Sequence, residues 1–94
     1  MENKAEEHFV YILKCADNTL YTGYARDIKK RLSEHNGKST IEGAKYTRSR
    51  RPVKLLYQEV FPSRSEAQQR EYAIKQLSRL QKQALIKARR VSFL

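Results

Sequence analysis

Cysteine occurs once in this chain of 94 residues, as Cys15. One thiol cannot close an intrachain disulfide and has no partner for a zinc motif. That usage fits a reducing compartment, so the expected location is the cytoplasm, or the nucleus in a nucleated cell. Long apolar runs are missing too. No stretch approaches the roughly 18 residues of a membrane span, and no signal-peptide pattern opens the chain. Acids are the third scarcity: ten Asp and Glu face twenty Lys and Arg, a formal charge of +10. A small domain needs far less charge to stay dissolved. Polyanion binding accounts for the excess, and a merely well-solvated surface is the alternative.

The length allows one domain with a modest core, so a substrate is expected on an open surface and not in a deep pocket. Residues 1–7 are polar and read as a flexible N-terminus, residues 8–90 as the domain and residues 91–94 as a tail. His8 to Lys14 is rich in aromatic and β-branched residues, and Phe9 to Leu13 are apolar on both faces, which predicts a central strand. Ala16-Asp17-Asn18-Thr19 signals a turn, and Leu20 to Tyr24 reads as a second, antiparallel strand. Asp27 caps a helix from about Ile28 to His35, which Asn36-Gly37 ends with Gly37 free to turn left-handed. Residues 37–52 show neither helical nor strand period and read as a long basic loop. Val53 to Phe61 is the third strand. From Ser65 the pattern is helical, with a capping-box signature at Ser78-x-x-Gln81 that splits it into 65–77 and 79–88; one continuous helix is the alternative. The order β-β-α-β-α-α predicts an α+β domain, a small three-stranded antiparallel sheet flanked by helices.

Half of the basic residues lie between Arg26 and Lys54. Lys29 and Lys30 sit on the first helix, and Lys38, Lys45, Arg48, Arg50 and Arg51 on the loop. Tyr46 and Thr47 stand beside that arginine cluster. Guanidinium forks grip phosphate and a tyrosine stacks on an unpaired base, so these residues, with Lys75, are candidate nucleic-acid contacts. The charge does not choose between DNA and RNA.

At about 100° per residue, Arg31 and His35 lie on the edge of the helix face carrying Ile28 and Leu32. Arg31 reads as a phosphate clamp or a structural ion pair, and His35 as a functional group or a packing histidine. Glu71 borders the apolar stripe of Ala67 and Ile74 in the same way. It reads as a ligand for Mg²⁺, which prefers hard oxygen donors, or as the partner of Lys75 one turn on. Tyr11 and Tyr21 stand on the two arms of one hairpin. A two-residue loop would put them on opposite faces; a three-residue loop or a bulge would put them on one. Core packing is the default for either alone.

Taken together, these residues resemble the GIY-YIG nuclease domain, in particular its short stand-alone bacterial members. Phe9-Val10-Tyr11 matches the first triplet and Tyr21-Thr22-Gly23 the second. Arg31 and His35 match the arginine and histidine of the first helix, and Glu71 the glutamate of a later one. Cys15-Ala16-Asp17, Tyr46-Thr47 and Pro52-Val53 also match the short members, and the likeness runs from His8 to about Ala88. Phe9-Val10 replaces Gly-Ile, Asn18 stands where short members place a glycine, and Gln83 where many members have asparagine. The resemblance implies metal-dependent phosphodiester hydrolysis with Mg²⁺ or Mn²⁺ on Glu71 and charge neutralisation by Arg31. It makes Tyr11 a base or water-orienting group, with Tyr21 and His35 in support. It further implies a structure-led DNA endonuclease of low sequence specificity, acting in repair or recombination. A silent nucleic-acid-binding module on the same fold is the alternative. A monomer is expected.

Overall fold

The computed structural model describes residues 6–37 and 50–91, with side chains as far as residue 88. Its elements are β1 (His8–Lys14), β2 (Leu20–Ala25), α1 (Ile28–Asn36), β3 (Lys54–Phe61), α2 (Arg64–Lys75) and α3 (Arg79–Val91). The strands form one antiparallel sheet in the order β2-β1-β3. The α+β class and the expected element order are both realised.

β1 is central because it can bury both of its faces. Val10 and Ile12 point into a core with Tyr57, Ala67, Ile74 and Ile86, under α2 and α3. Tyr11 and Leu13 point the other way, into a second core with Cys15, Ala25 and Val53, where Ile28 and Leu32 of α1 pack. β3 reaches both cores through a bulge. Ile12 pairs with Tyr57 and Leu13 with Leu55, which leaves Leu56 as the extra residue. Leu56 and Tyr57 therefore both join the first core, while Leu55 joins the second.

The β1–β2 hairpin closes over a three-residue loop. The Cys15 amide donates to the Thr19 carbonyl at 2.9 Å, and the Asn18 amide donates to the Cys15 carbonyl at 2.9 Å. Asn18 takes φ 73°, a left-handed turn position that asparagine tolerates better than most residues. Asp17 accepts from the Thr19 amide and hydroxyl and fixes the turn. The odd loop sets Tyr11 opposite Gly23 and Leu13 opposite Tyr21, so both tyrosines lie on the α1 face.

Asp27 caps α1 by accepting from the Lys30 amide. Gly37 differs from expectation. It is extended, at φ −106° and ψ −157°, and not left-handed. A Cβ here would lie 3.0 Å from the Ser33 carbonyl oxygen, a tight contact that glycine avoids. α2 begins at Arg64, one residue earlier than expected. Ser63 and Glu66 form a reciprocal cap there, of the Ser-x-x-Glu kind. The helix break is real: the Ser78 amide donates to Gln81 and the Gln81 amide to the Ser78 hydroxyl. Among the described residues no helix is long and apolar enough to cross a membrane.

Candidate active site

α1 delivers its chemistry to the second core. Ile28 and Leu32 hold the helix against the sheet. Asn36 then fixes its end, donating to the Val53 carbonyl at 3.3 Å and accepting from the Val53 amide at 2.8 Å. His35 is completely buried by this docking, deeper than the helix edge that angular spacing predicts. A buried imidazole needs a partner, and it has one: Nε2 lies 3.0 Å from the Tyr11 hydroxyl.

Tyr11, 1% exposed, lies across the edge strand at Gly23. A Cβ at Gly23 would stand 2.5 Å from the Tyr11 hydroxyl oxygen and 2.6 Å from Cζ. The glycine of the Tyr-x-Gly motif is thus the bed on which the phenol rests. Tyr21 completes a group of three rings, with its centroid 5.1 Å from that of His35 and 6.4 Å from that of Tyr11.

Burial sets the protonation of this group. It pushes the Tyr11 phenol well above the usual tyrosine range, helped by the neighbouring Tyr21 and Glu71, while Arg31 pulls the other way. Burial also holds His35 below the ordinary imidazole value, and the Arg31 charge adds to that; Glu34 opposes it. Both rings are therefore neutral around pH 7, and the tautomer of His35 decides which ring donates across the 3.0 Å contact. A neutral imidazole can accept the phenol's hydrogen bond, but burial raises the phenol and lowers the imidazole, so transfer of the proton itself needs further charge at the site.

Two charged side chains bear on the phenol from different helices. Arg31 of α1 lines a small space with Tyr11, Ile28 and Leu55. Its guanidinium also pairs with Glu34 at 3.1 Å. Glu71 of α2, one-fifth exposed, pairs with Lys75 at 3.1 Å and lies close enough to Tyr11 to raise its pKa. The bland partners of Arg31 and Glu71 are thus present alongside the proximity to Tyr11. Surface pairs of this spacing contribute only about 0.3–0.5 kcal/mol, so an arriving phosphate or cation could displace them.

Among the described residues, no three His, Cys, Asp or Glu side chains gather as a metal cage. The donor set fits an ion of the Mg²⁺ kind, which uses one or two carboxylates and takes its remaining oxygens from water and substrate phosphate. It does not fit a resident ion held by protein alone.

The remaining expected contacts divide. Lys29 and Lys30 are exposed on α1, and Lys75 is engaged with Glu71. Arg50 pairs with Asp17 at 3.0 Å, and Arg51 donates to the Gly37 carbonyl, so both hold the fold as described. Lys38, Lys45, Tyr46, Thr47 and Arg48 lie outside the described residues. Gln83 lines a groove with Lys14, Asn18 and Arg79. A second polar group went unread in the sequence. Buried His8 reaches the Tyr24 hydroxyl through Nδ1 at 2.7 Å and Glu6 through Nε2 at 2.8 Å. Strand alternation places His8 and Tyr24 on one face once the register is known, and that parity is the signal that could have found them.

Tyrosines on the central and edge strands, an arginine and a histidine on the first helix, and a glutamate on the second make this a nuclease-type α+β domain. Its neutral ring pair and two flanking charges meet at one sheet edge. The chain belongs to the GIY-YIG catalytic domain family, whose model matches residues 7–84. It is 58% identical over 85 residues to a UPF0213 protein of Desulfotalea psychrophila, covering 90% of this chain and 76% of that one. A UPF0213 protein of Staphylococcus saprophyticus is 56% identical over 81 residues, 86% of this chain and 95% of the relative. Among solved structures, a protein of E. faecalis shares 41% identity at TM-score 0.63, over 97% of this chain and 93% of that one. The UPF0213 protein of Bacillus halodurans, also solved by NMR, shares 44% identity at TM-score 0.56, over 87% and 84%.

Proposed function

We propose that this domain is a DNA endonuclease that hydrolyses phosphodiester bonds with a divalent cation, guided by substrate structure more than by sequence. The observation that carries the reading is the buried hydrogen bond between Tyr11 and His35, with the charges of Arg31 and Glu71 bearing on the same phenol. A purely packing tyrosine needs neither charge nearby. Repair or recombination is the setting in which structure-led cleavage is useful.

Each residue then has a role. Tyr11 takes the proton of the attacking water as it passes its own to His35, neutral before the step although burial disfavours its charged form. The P–O bond to the departing strand end breaks as the water oxygen bonds to phosphorus, and the departing oxygen takes up a proton from solvent. Arg31 leaves Glu34 to neutralise charge that builds on the phosphorus oxygens. Tyr21 hydrogen-bonds the phosphate or the water. Glu71 holds the cation, Mg²⁺ or Mn²⁺, which when bound supplies positive charge to the scissile phosphate. The pairing of Arg31 and Glu71 with their own helix neighbours supports the second reading, a nucleic-acid-binding module without hydrolysis.

The test is incubation with branched, single-stranded and supercoiled DNA and with RNA, each with Mg²⁺, with Mn²⁺ and with chelator. The proposal expects metal-dependent cleavage, strongest on branched or single-stranded DNA, and its loss in Arg31→Ala and Glu71→Gln. Binding without cleavage under every condition would establish the silent module instead.

A further inference from the structure

A second basic site adjoins the Tyr11 centre. Arg26, Lys30, Arg31 and Arg64 line a cleft of about 330 Å³ beside Tyr24. Two acids share it, and both are occupied. Asp27 accepts from the Lys30 amide as the cap of α1, and Glu34 pairs with Arg31. Arg26 reaches the Glu7 carbonyl at 2.8 Å, and among the described residues no carboxylate pairs with Arg64 or Lys30. Four cations against two engaged acids leave a surplus facing an open space.

Arg64 is also held in place. Its guanidinium sits over the Tyr24 ring, 5.6 Å from the centroid. The ring in turn is fixed at its hydroxyl by buried His8, which Glu6 holds from the other side. The chain Glu6–His8–Tyr24 thus sets a platform, and a guanidinium rests on it. A stacked arginine loses little freedom when it grips an anion. Arg31 belongs both to this cleft and to the surroundings of Tyr11, so the two sites are continuous along the edge of the sheet.

We infer that this cleft binds a backbone phosphate next to the scissile one, with Arg64 and Lys30 as its contacts and Tyr24 as the residue that positions Arg64. The strand would then cross the β2 edge from Tyr24 to Tyr11. This rests on the nuclease reading for the location of the scissile phosphate, but the binding itself requires no hydrolysis.

The test is binding of a fluorescein-labelled oligothymidylate, by anisotropy, in chelator and across a series of salt concentrations. Arg64→Gln should weaken binding and lower the slope of log affinity against log salt by about 0.7, the value of one phosphate contact on a single strand. Lys30→Gln should do the same independently. Arg64→Lys should keep the slope, and Lys87→Gln, in the separate groove with Gln83 that shares no lining residue with this cleft, should change neither quantity. Thermal melting checks that each variant is folded. An unchanged slope in folded Arg64→Gln and Lys30→Gln would overturn the inference, as would an equal loss in Lys87→Gln, the mark of diffuse basicity. Reduced slopes without cleavage would support the cleft and remove the hydrolysis. Cleavage with unchanged slopes would remove the cleft alone, and no binding by the unaltered protein would overturn the inference.

Discussion

His35 and Gly23 show what single residues contribute. His35 is neutral in the folded protein because burial depresses its pKa below 6.5. As pH falls, the unfolded chain therefore takes up this proton first. The contribution to stability is full above about pH 6.5 and is lost on acidification toward the depressed native value. The thermal midpoint should fall between about pH 7.5 and about pH 5.5, and it should fall less in His35→Gln; equal falls would show that the ring is not held neutral. The same logic fixes the acid limb of any cleavage rate, because an imidazolium cannot accept the Tyr11 proton. Gly23 has a steric role. Gly23→Ala drives a methyl into a phenol that is itself buried. Overpacking of this kind costs about 1–3 kcal/mol, readable by chemical denaturation, and it should displace Tyr11 so that cleavage is lost along with stability.

At the scale of elements, the site depends on how α1 and α2 dock on the sheet. α2 is set in rotation by a fork: Arg70 donates to the two oxygens of Glu59 at 2.9 and 3.0 Å, and the Tyr57 hydroxyl donates to the same carboxylate. Arg70→Ala should cost about 1 kcal/mol after solvent screening. It should lower cleavage by more than that loss explains, because Glu71 is the next residue on the helix; activity unchanged in the folded variant would contradict this. Much of this scale was readable from the sequence. Asp27, Ser78 and Gln81 announced caps by local chemistry, and the apolar run of β1 announced a central strand. Arg31, His35 and Glu71 could be singled out because each was read at the edge of an apolar helix stripe, and Tyr11 joined them only through the resemblance to the GIY-YIG domain. Contacts that join distant segments were not readable. The bed of Tyr11 at Gly23, the clasp of Asn36 on Val53 and the chain from Glu6 through His8 to Tyr24 all depend on strand register or helix docking. Local periodicity encodes neither. Gly37 departs from expectation for a related reason: it takes an extended torsion, and the tight neighbour it meets is the Ser33 carbonyl.

At the scale of the whole molecule, the fold brings the candidate site residues toward the β2 edge of a small sheet. β1 supplies Tyr11, β2 gives way at Gly23, α1 brings Arg31 and His35, and α2 brings Glu71 and Arg64. The chain carries a formal charge of +10 over 94 residues, so affinity for nucleic acid should fall steeply with salt. The central claim is that the Tyr11–His35 pair is a hydrolytic centre and not core packing. The most direct measurement is the single-turnover cleavage rate of a branched DNA with Mg²⁺, for the unaltered protein and for Tyr11→Phe, with binding measured in parallel. Phenylalanine keeps the ring and removes only the hydroxyl, so the fold and the affinity should survive while the rate falls at least 100-fold, within the usual range for losing a proton-transfer group. Cleavage by Tyr11→Phe at the unaltered rate would contradict the account.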